Sequence, residues 1–144
     1  MKQISVFLEN KTGELARVCK ALAANGISLV AISLAESQEF GIVRLIVDDW
    51  ARAESVLKGE NFLVKATSVT AVSVPDRPGG MSDVATLLSE RGCDIEYSYA
   101  FSFRESAHAV LVFRFKDEAK AASVLAEAGI TPFAESDLQM AVGR

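Results

Sequence analysis

The chain has 144 residues, 19 acidic against 15 basic side chains, a net charge of −4 and a pI near 5.0, with 50% of its residues apolar. That is enough for one ordinary domain or two small ones with a sizeable core, although a half-chain of about 60–70 residues is near the marginal size at which packing on a partner helps. The acidic balance argues against nucleic acid or an anionic membrane as main partner; no apolar run approaches the roughly 20 residues of a membrane span, and MKQISVFLENKTGEL lacks a signal-peptide core, so a cytoplasmic protein is expected.

In chain order, ISVFL reads as a strand and ENKTG as a loop. ELARVCKALAANG places Leu15, Val18, Cys19, Leu22 and Ala23 on one helical face, and Gly26 ends the helix. ISLVAISLAES is a strand, QEF a turn and GIVRLIVD a second strand. DDWARAESVLKG is a helix with Asp48 or Asp49 as N-cap and Gly59 as stop, and NFLVKAT is a strand. The order then repeats: SVTAVSV, the PDRPG loop, the helix GMSDVATLLSERG, the strands CDIEYSYAFSF and AHAVLVFRF, the helix KDEAKAASVLAEAG and the strand ITPFA. Asn10 and Gly13 recur as Asp76 and Gly79, 66 residues on, whereas Val56-Leu57 recurs as Val124-Leu125, 68 on. Two extra residues therefore enter at the second hairpin.

The expected fold class is α+β: two tandem ferredoxin-like βαββαβ units, at 1–67 and 68–144, each an antiparallel sheet with its helices on one face. Ile27, Leu29 and Ala31 are expected to face the helices, with Val30, Ile32 and Leu34 on the other face; the second hairpin has Val110 and Val112 beside Leu111, Phe113 and Phe115. Strands apolar on both faces predict burial on both, between the halves, between chains, or both. The segment DLQMAVGR, 137–144, aligns with a first strand and is a candidate edge strand.

Each polar loop delivers the chain to a helix N-terminus, where unpaired N–H groups and the helix dipole favour an anion. Gly13, Gly79 and Gly80 permit close backbone approach. Asn10 offers an amide and Asp76 a carboxylate, so carboxylate and ammonium of a zwitterionic amino acid both find partners. Ordinary turn and capping chemistry explains the same residues without a ligand. Cys19 and Cys93 are expected as buried free thiols, His108 as an ordinary strand or turn residue, and Trp50 as a packing anchor. The stripe Tyr97, Tyr99, Phe101 and Phe103, which Ile95 extends, is expected to pack; acidic Asp94 and Glu96 argue against base stacking. No metal-ligand spacing, catalytic triad or phosphate-binding glycine motif is present, so no metal or cofactor is expected.

ENKTGEL and PDRPGGM, each between a strand and a helix ending near NG-I-S or RG-C-D, resemble the loop of the ACT domain, a βαββαβ small-molecule-binding regulatory module. The resemblance covers nearly the whole chain as two copies. Pro78-Gly79 matches the family's usual Pro-Gly; Thr12 stands where the first copy would have that proline. It implies ligand sites lined by Asn10, Thr12, Gly13, Glu14 and Leu15 and by Asp76, Arg77, Pro78, Gly79, Gly80 and Met81. Ser28 and Asp94, just inside the second strand of each unit, would complete the opposite site when two copies pair side by side. Glu14 would repel a carboxylate where Gly80 would not, so the second loop is expected to bind better.

The resemblance further implies a stand-alone, non-catalytic amino-acid sensor acting as a homodimer or on a separate enzyme subunit, as the acetolactate synthase small subunit does. Two alternatives stay open: an enzyme using Asp76 and Asp94 as acid and base, and a structural oligomerisation module without ligand.

Overall fold

The structure, a computed structural model, describes residues 1–37, 39–103 and 107–141. Its contacts cluster into two units: Lys2–Ser68, and Val69–Arg144 with Met1.

The first unit runs β1 (Lys2–Glu9), α1 (Glu14–Ala24), β2 (Leu29–Glu36), β3 (Phe40–Val47), α2 (Trp50–Gly59) and β4 (Leu63–Ser68). The sheet order is β2-β3-β1-β4, with β1 antiparallel to both neighbours. Ile4, Val6 and Leu8 of β1 and Val43, Leu45 and Val47 of β3 form a core with Val18 and Leu22 of α1 and Ala53 and Leu57 of α2. Each large side chain so buried contributes about 1.5–3 kcal/mol. Trp50 packs against that core, as an anchor should. The two aspartates before α2 divide the work. Asp49 accepts from the Arg52 N–H at 3.0 Å as N-cap, while Asp48 accepts from the Ser28 N–H at 3.0 Å. The helix ends at Gly59, as expected, with Glu60 as C-cap, and the left-handed residue beyond is Asn61, φ 64°. Asn tolerates that conformation because its short polar side chain bonds locally.

The second unit runs β5 (Thr70–Pro75), α3 (Gly80–Glu90), β6 (Ile95–Ser102), β7 (His108–Phe115), α4 (Glu118–Glu127) and α5 (Glu135–Ala141), with sheet order β5-β7-β6. Phe113, Phe115, Val72, Leu88 and Leu125 are central to its core. The register repeats that of the first unit: Ile4↔Leu45 becomes Thr70↔Phe113, and Leu34↔Val43 becomes Ala100↔Leu111. The hairpin ends are Glu36↔Gly41 and Ser102↔Ala109, so the two extra residues do enter there.

Two expectations at the C-terminus are corrected. ITPFA is not a strand; it contributes one bridge, Val72↔Pro132, and the Phe133 N–H donates to Ala71 O at 2.7 Å. Pro132 has no N–H to give a longer ladder. Of DLQMAVGR, residues 137–141 lie in a helix rather than an edge strand, and 142–144 fall outside the described residues. Asp137 accepts from the Ala134 N–H at 2.8 Å, half of a capping box, and Leu138 is buried.

The faces of β2 and β6 also differ from expectation. Directly opposed residues in a sheet point to the same face. Leu29 opposes Val47, but the register then shifts by one, so Ala31 opposes Ile46 while Ile32 and Leu34 oppose Leu45 and Val43. A bulge inserts one residue, and one residue inverts the phase. Ile32 and Leu34 thus share the helix side of the sheet, where they are 46% and 55% exposed, and Ala31 lies on the other side. β2 is therefore not buried on both faces, whereas β7 is, through Val110 and Val112 on one and Phe113 and Phe115 on the other. The same bulge falls between Ile95 and Tyr97. Tyr97, Tyr99 and Phe101 are half-buried opposite Arg114, Val112 and Val110, and Ile95 lies on the opposite face from that stripe. Among the described residues no helix is long and apolar enough to cross a membrane.

Candidate functional site

Both loops enter their helices in the same way. The N-cap is glycine in the left-handed conformation, Gly13 at φ 93° and Gly79 at φ 92°, and neither helix has a side-chain cap. A β-carbon is disfavoured at that φ, which is why glycine recurs there. The result is a helix N-terminus whose first-turn N–H groups are not taken by a capping side chain.

The first loop is tied down by Asn10, whose Nδ2 donates to Ser37 O at 3.0 Å at the β2–β3 turn. Its amide proton thus serves the fold, and Oδ1 stays toward Gly41, 3.6 Å from where a β-carbon there would lie. Lys11 pairs with Glu9 at 3.0 Å. The hydrogen bond to Glu9, then the charges of Glu9 and Glu14, hold the exposed Lys11 ammonium above the usual lysine range. Glu14, in the first turn of α1, is 13% exposed at its side chain, with Arg17 Nε 3.8 Å away. Arg17 stacks its guanidinium 4.0 Å above the Phe62 ring.

Two hollows flank this loop. One, of about 370 Å³, gathers Asn10, Thr12, Glu14 and Leu15 from the expected set, with Leu34, Glu36 and Gly41 from the β2–β3 hairpin. The other, of about 340 Å³, is walled by Phe7, Phe40, Phe62 and Leu63, with Arg17 and Asn61. Leu8, Glu9, Lys11 and Glu14 line both. Neither is lined by Ser28, whose N–H and C=O are bonded to Asp48.

The second loop is tighter. The Arg77 N–H donates to Pro75 O at 2.9 Å, the Gly80 N–H to Arg77 O at 3.0 Å, and the Asp76 N–H to Ala107 O at 2.9 Å. Gly80 is buried, and a β-carbon on it would lie 2.3 Å from Pro75 O. Arg77 is engaged with Asp83 at 2.8 Å and with Pro78 O at 3.0 Å. Asp76, Pro78 and Gly79 are exposed, and Met81 is largely so. Asp94 is exposed, with its carbonyl bonded to the Lys116 N–H at 3.0 Å, matching the Ser28–Asp48 contact of the first unit. His108, at the start of β7, is paired in register with Pro75 and so sits beside this loop rather than apart from it. Cys93 is a buried free thiol and Cys19 a half-buried one. Among the described residues no three His, Cys, Asp or Glu side chains group as a metal site would need.

The contribution of Leu34, Glu36, Gly41, Phe7, Phe40 and Leu63 to the walls of these hollows was not read from the sequence. One local signal was available: Val6-Phe7-Leu8 are three consecutive apolar residues in a strand, so Phe7 faces away from the core that holds its neighbours.

Two βαββ-helix units, each with a glycine-capped strand-to-helix loop, define a tandem ferredoxin-like module. The family model for the ACT domain pair matches residues 1–142, and the chain belongs to that family of regulatory domains. It is similar to the crystal structure of protein BT0572 from Bacteroides thetaiotaomicron, with 41% identity over 95% of this chain and 94% of that one and a TM-score of 0.88. It shares its fold with the regulatory subunit of aspartate kinase from Thermus thermophilus (18% identity, 88% and 91% of the chains, TM-score 0.65). The corresponding subunit from Thermus flavus is also similar (18%, 89% and 92%, TM-score 0.60). Among curated proteins, none matches significantly.

Proposed function

We propose that this chain is a non-catalytic sensor that binds a free amino acid through its strand-to-helix loops, at a junction of paired ACT units, and transmits occupancy to a second copy or to a separate enzyme subunit in the cytoplasm. The observation that carries the reading is the repeated entry into α1 and α3 through a left-handed glycine with no side-chain cap. At α3 it leaves first-turn N–H groups for a ligand carboxylate, and at α1 the same entry places Glu14 in the first turn, where an ammonium is favoured. Regulation follows if the ligand binds two packing or oligomeric states with different affinity, since only a differential affinity shifts an equilibrium. Membership of a regulatory-domain family supports the same reading.

Equilibrium dialysis against a mixture of the twenty amino acids tests it. Retention of one amino acid or one chemical class on the protein side is expected, reduced by Gly13→Leu or Gly79→Leu. Equal partitioning of all twenty would sink the proposal and favour a structural module. Conversion of a retained compound would favour an enzyme using Asp76 and Asp94.

A further inference from the structure

We infer that the first loop takes its ligand by the ammonium group, on Glu14, and lays an apolar side chain into the hollow walled by Phe7, Phe40 and Leu63; the ligand class is an aromatic or branched apolar amine or amino acid. This rests on the loops being ligand sites, and adds which pole each end of the ligand meets.

Glu14 carries the polar half. Its side chain is only 13% exposed, and its nearest cation, Arg17, is at 3.8 Å, beyond hydrogen-bonding distance. A carboxylate that far out of water gains from a donor. Of the two cations around it, Lys11 bonds Glu9 at 3.0 Å, and Arg17, in ion-pair range of Glu14 at 3.8 Å, stacks over Phe62 at 4.0 Å, so neither gives it a hydrogen bond. Glu14 lines both hollows, so a ligand in either meets it. Its charge occupies the positive end of the α1 dipole, repelling a carboxylate and attracting an ammonium. The second unit has the buried Gly80 at this place and lacks the device.

The apolar half comes from the sheet. Phe7 opposes Leu63 across β1–β4, and Phe40 opens β3 opposite Glu9. They are 36%, 69% and 50% exposed and converge with Phe62 on one hollow of about 340 Å³. Apolar walls with a few placed polar groups are the usual make-up of a small-molecule site, and this volume is at the small end of the usual range of about 300–1,000 Å³.

Four probes separate the poles in titration calorimetry: L-phenylalanine, phenethylamine (ring and ammonium), 3-phenylpropionate (ring and carboxylate) and ethylamine (ammonium alone). Saturable binding of the first two is expected, with the last two about tenfold weaker or worse. Glu14→Gln should weaken phenethylamine about tenfold, the loss of a charge-assisted bond, and Leu63→Ser several-fold, while Leu29→Ser, also exposed but outside both hollows, leaves it unchanged. Thermal melts of each variant confirm folding before titration. Equal or tighter binding of 3-phenylpropionate overturns the inference, as does full affinity in Glu14→Gln and Leu63→Ser, or no binding of any probe at 10 mM ligand, roughly the weakest end of useful affinity. If a different amino acid binds, sensitive to Gly79→Leu and indifferent to Glu14→Gln, this inference fails and the proposed function stands. If none of the twenty binds, both fail.

Discussion

Replacing Gly80 by alanine tests the backbone geometry of the second loop. A β-carbon there would sit 2.3 Å from Pro75 O, where real β-carbons essentially never come closer than 3.0 Å. The neighbour is a backbone carbonyl that already accepts the Arg77 N–H at 2.9 Å, so it cannot swing aside as a side-chain end would. Opening the contact costs overpacking strain of about 1–3 kcal/mol and weakens a turn hydrogen bond worth about 1 kcal/mol. Against this, alanine gains at most about 1 kcal/mol over glycine in helix propensity. Strain wins, by about 1–3 kcal/mol, and the melting temperature should fall roughly 3–10 °C. Circular dichroism melts would show it, with Gly41→Ala as control: its β-carbon meets nothing nearer than 3.6 Å, so stability should hold within about 1 kcal/mol or rise slightly. A Gly80→Ala melt within about 2 °C of the parent, which at this chain length is well under 1 kcal/mol, would refute the reasoning.

Leu57, fully buried in the first core, should cost about 2–5 kcal/mol when cut to alanine, read by urea unfolding. A loss under about 1 kcal/mol would mean that the α2 contact is not formed. Lys11 is raised chiefly by its bond to Glu9, so Glu9→Gln should bring its titration down toward the ordinary lysine value in side-chain NMR. A raised pKa favours the charged folded form below the unfolded pKa and loses that support as pH climbs through the folded one, so any stability difference between parent and variant should be present at neutral pH and vanish in strongly alkaline solution. Gly13→Leu and Gly79→Leu should reduce ligand binding unequally, because Glu14 faces the first loop and Gly80 the second; equal losses in one titration series would count against chemically distinct sites.

Element order through α4, both loops and the first-turn capping of α2 were legible because they rest on local chemistry: a glycine before a helix, an aspartate N-cap, an apolar stripe of helical period. The bulges at Leu29/Ala31 and Ile95/Tyr97 were not, because they arise from how β2 and β6 meet their partners. One shifted residue there carried Ile32 and Leu34 to the helix side and cut Ile95 from the aromatic stripe. The missing final strand had a local cause, Pro132, outweighed in reading by the repeat, which demanded a strand at that place. The candidate site shows the same divide. Asn10, Thr12, Glu14 and Leu15 are contiguous and could be proposed together. Gly41 and Leu34 join them only through hairpin pairing, and Phe7, Phe40 and Leu63 meet only across three strands.

A thermal-shift screen of the chain against the twenty amino acids, with Gly13→Leu and Gly79→Leu in parallel, tests the sensor reading most directly. At 100 times its Kd a ligand adds about 2.7 kcal/mol of stability, which raises the melting temperature by several degrees at this size. The account predicts such a rise for one chemical class of amino acid, diminished in at least one glycine variant. A flat response to all twenty, with both variants behaving as the parent does, would contradict it.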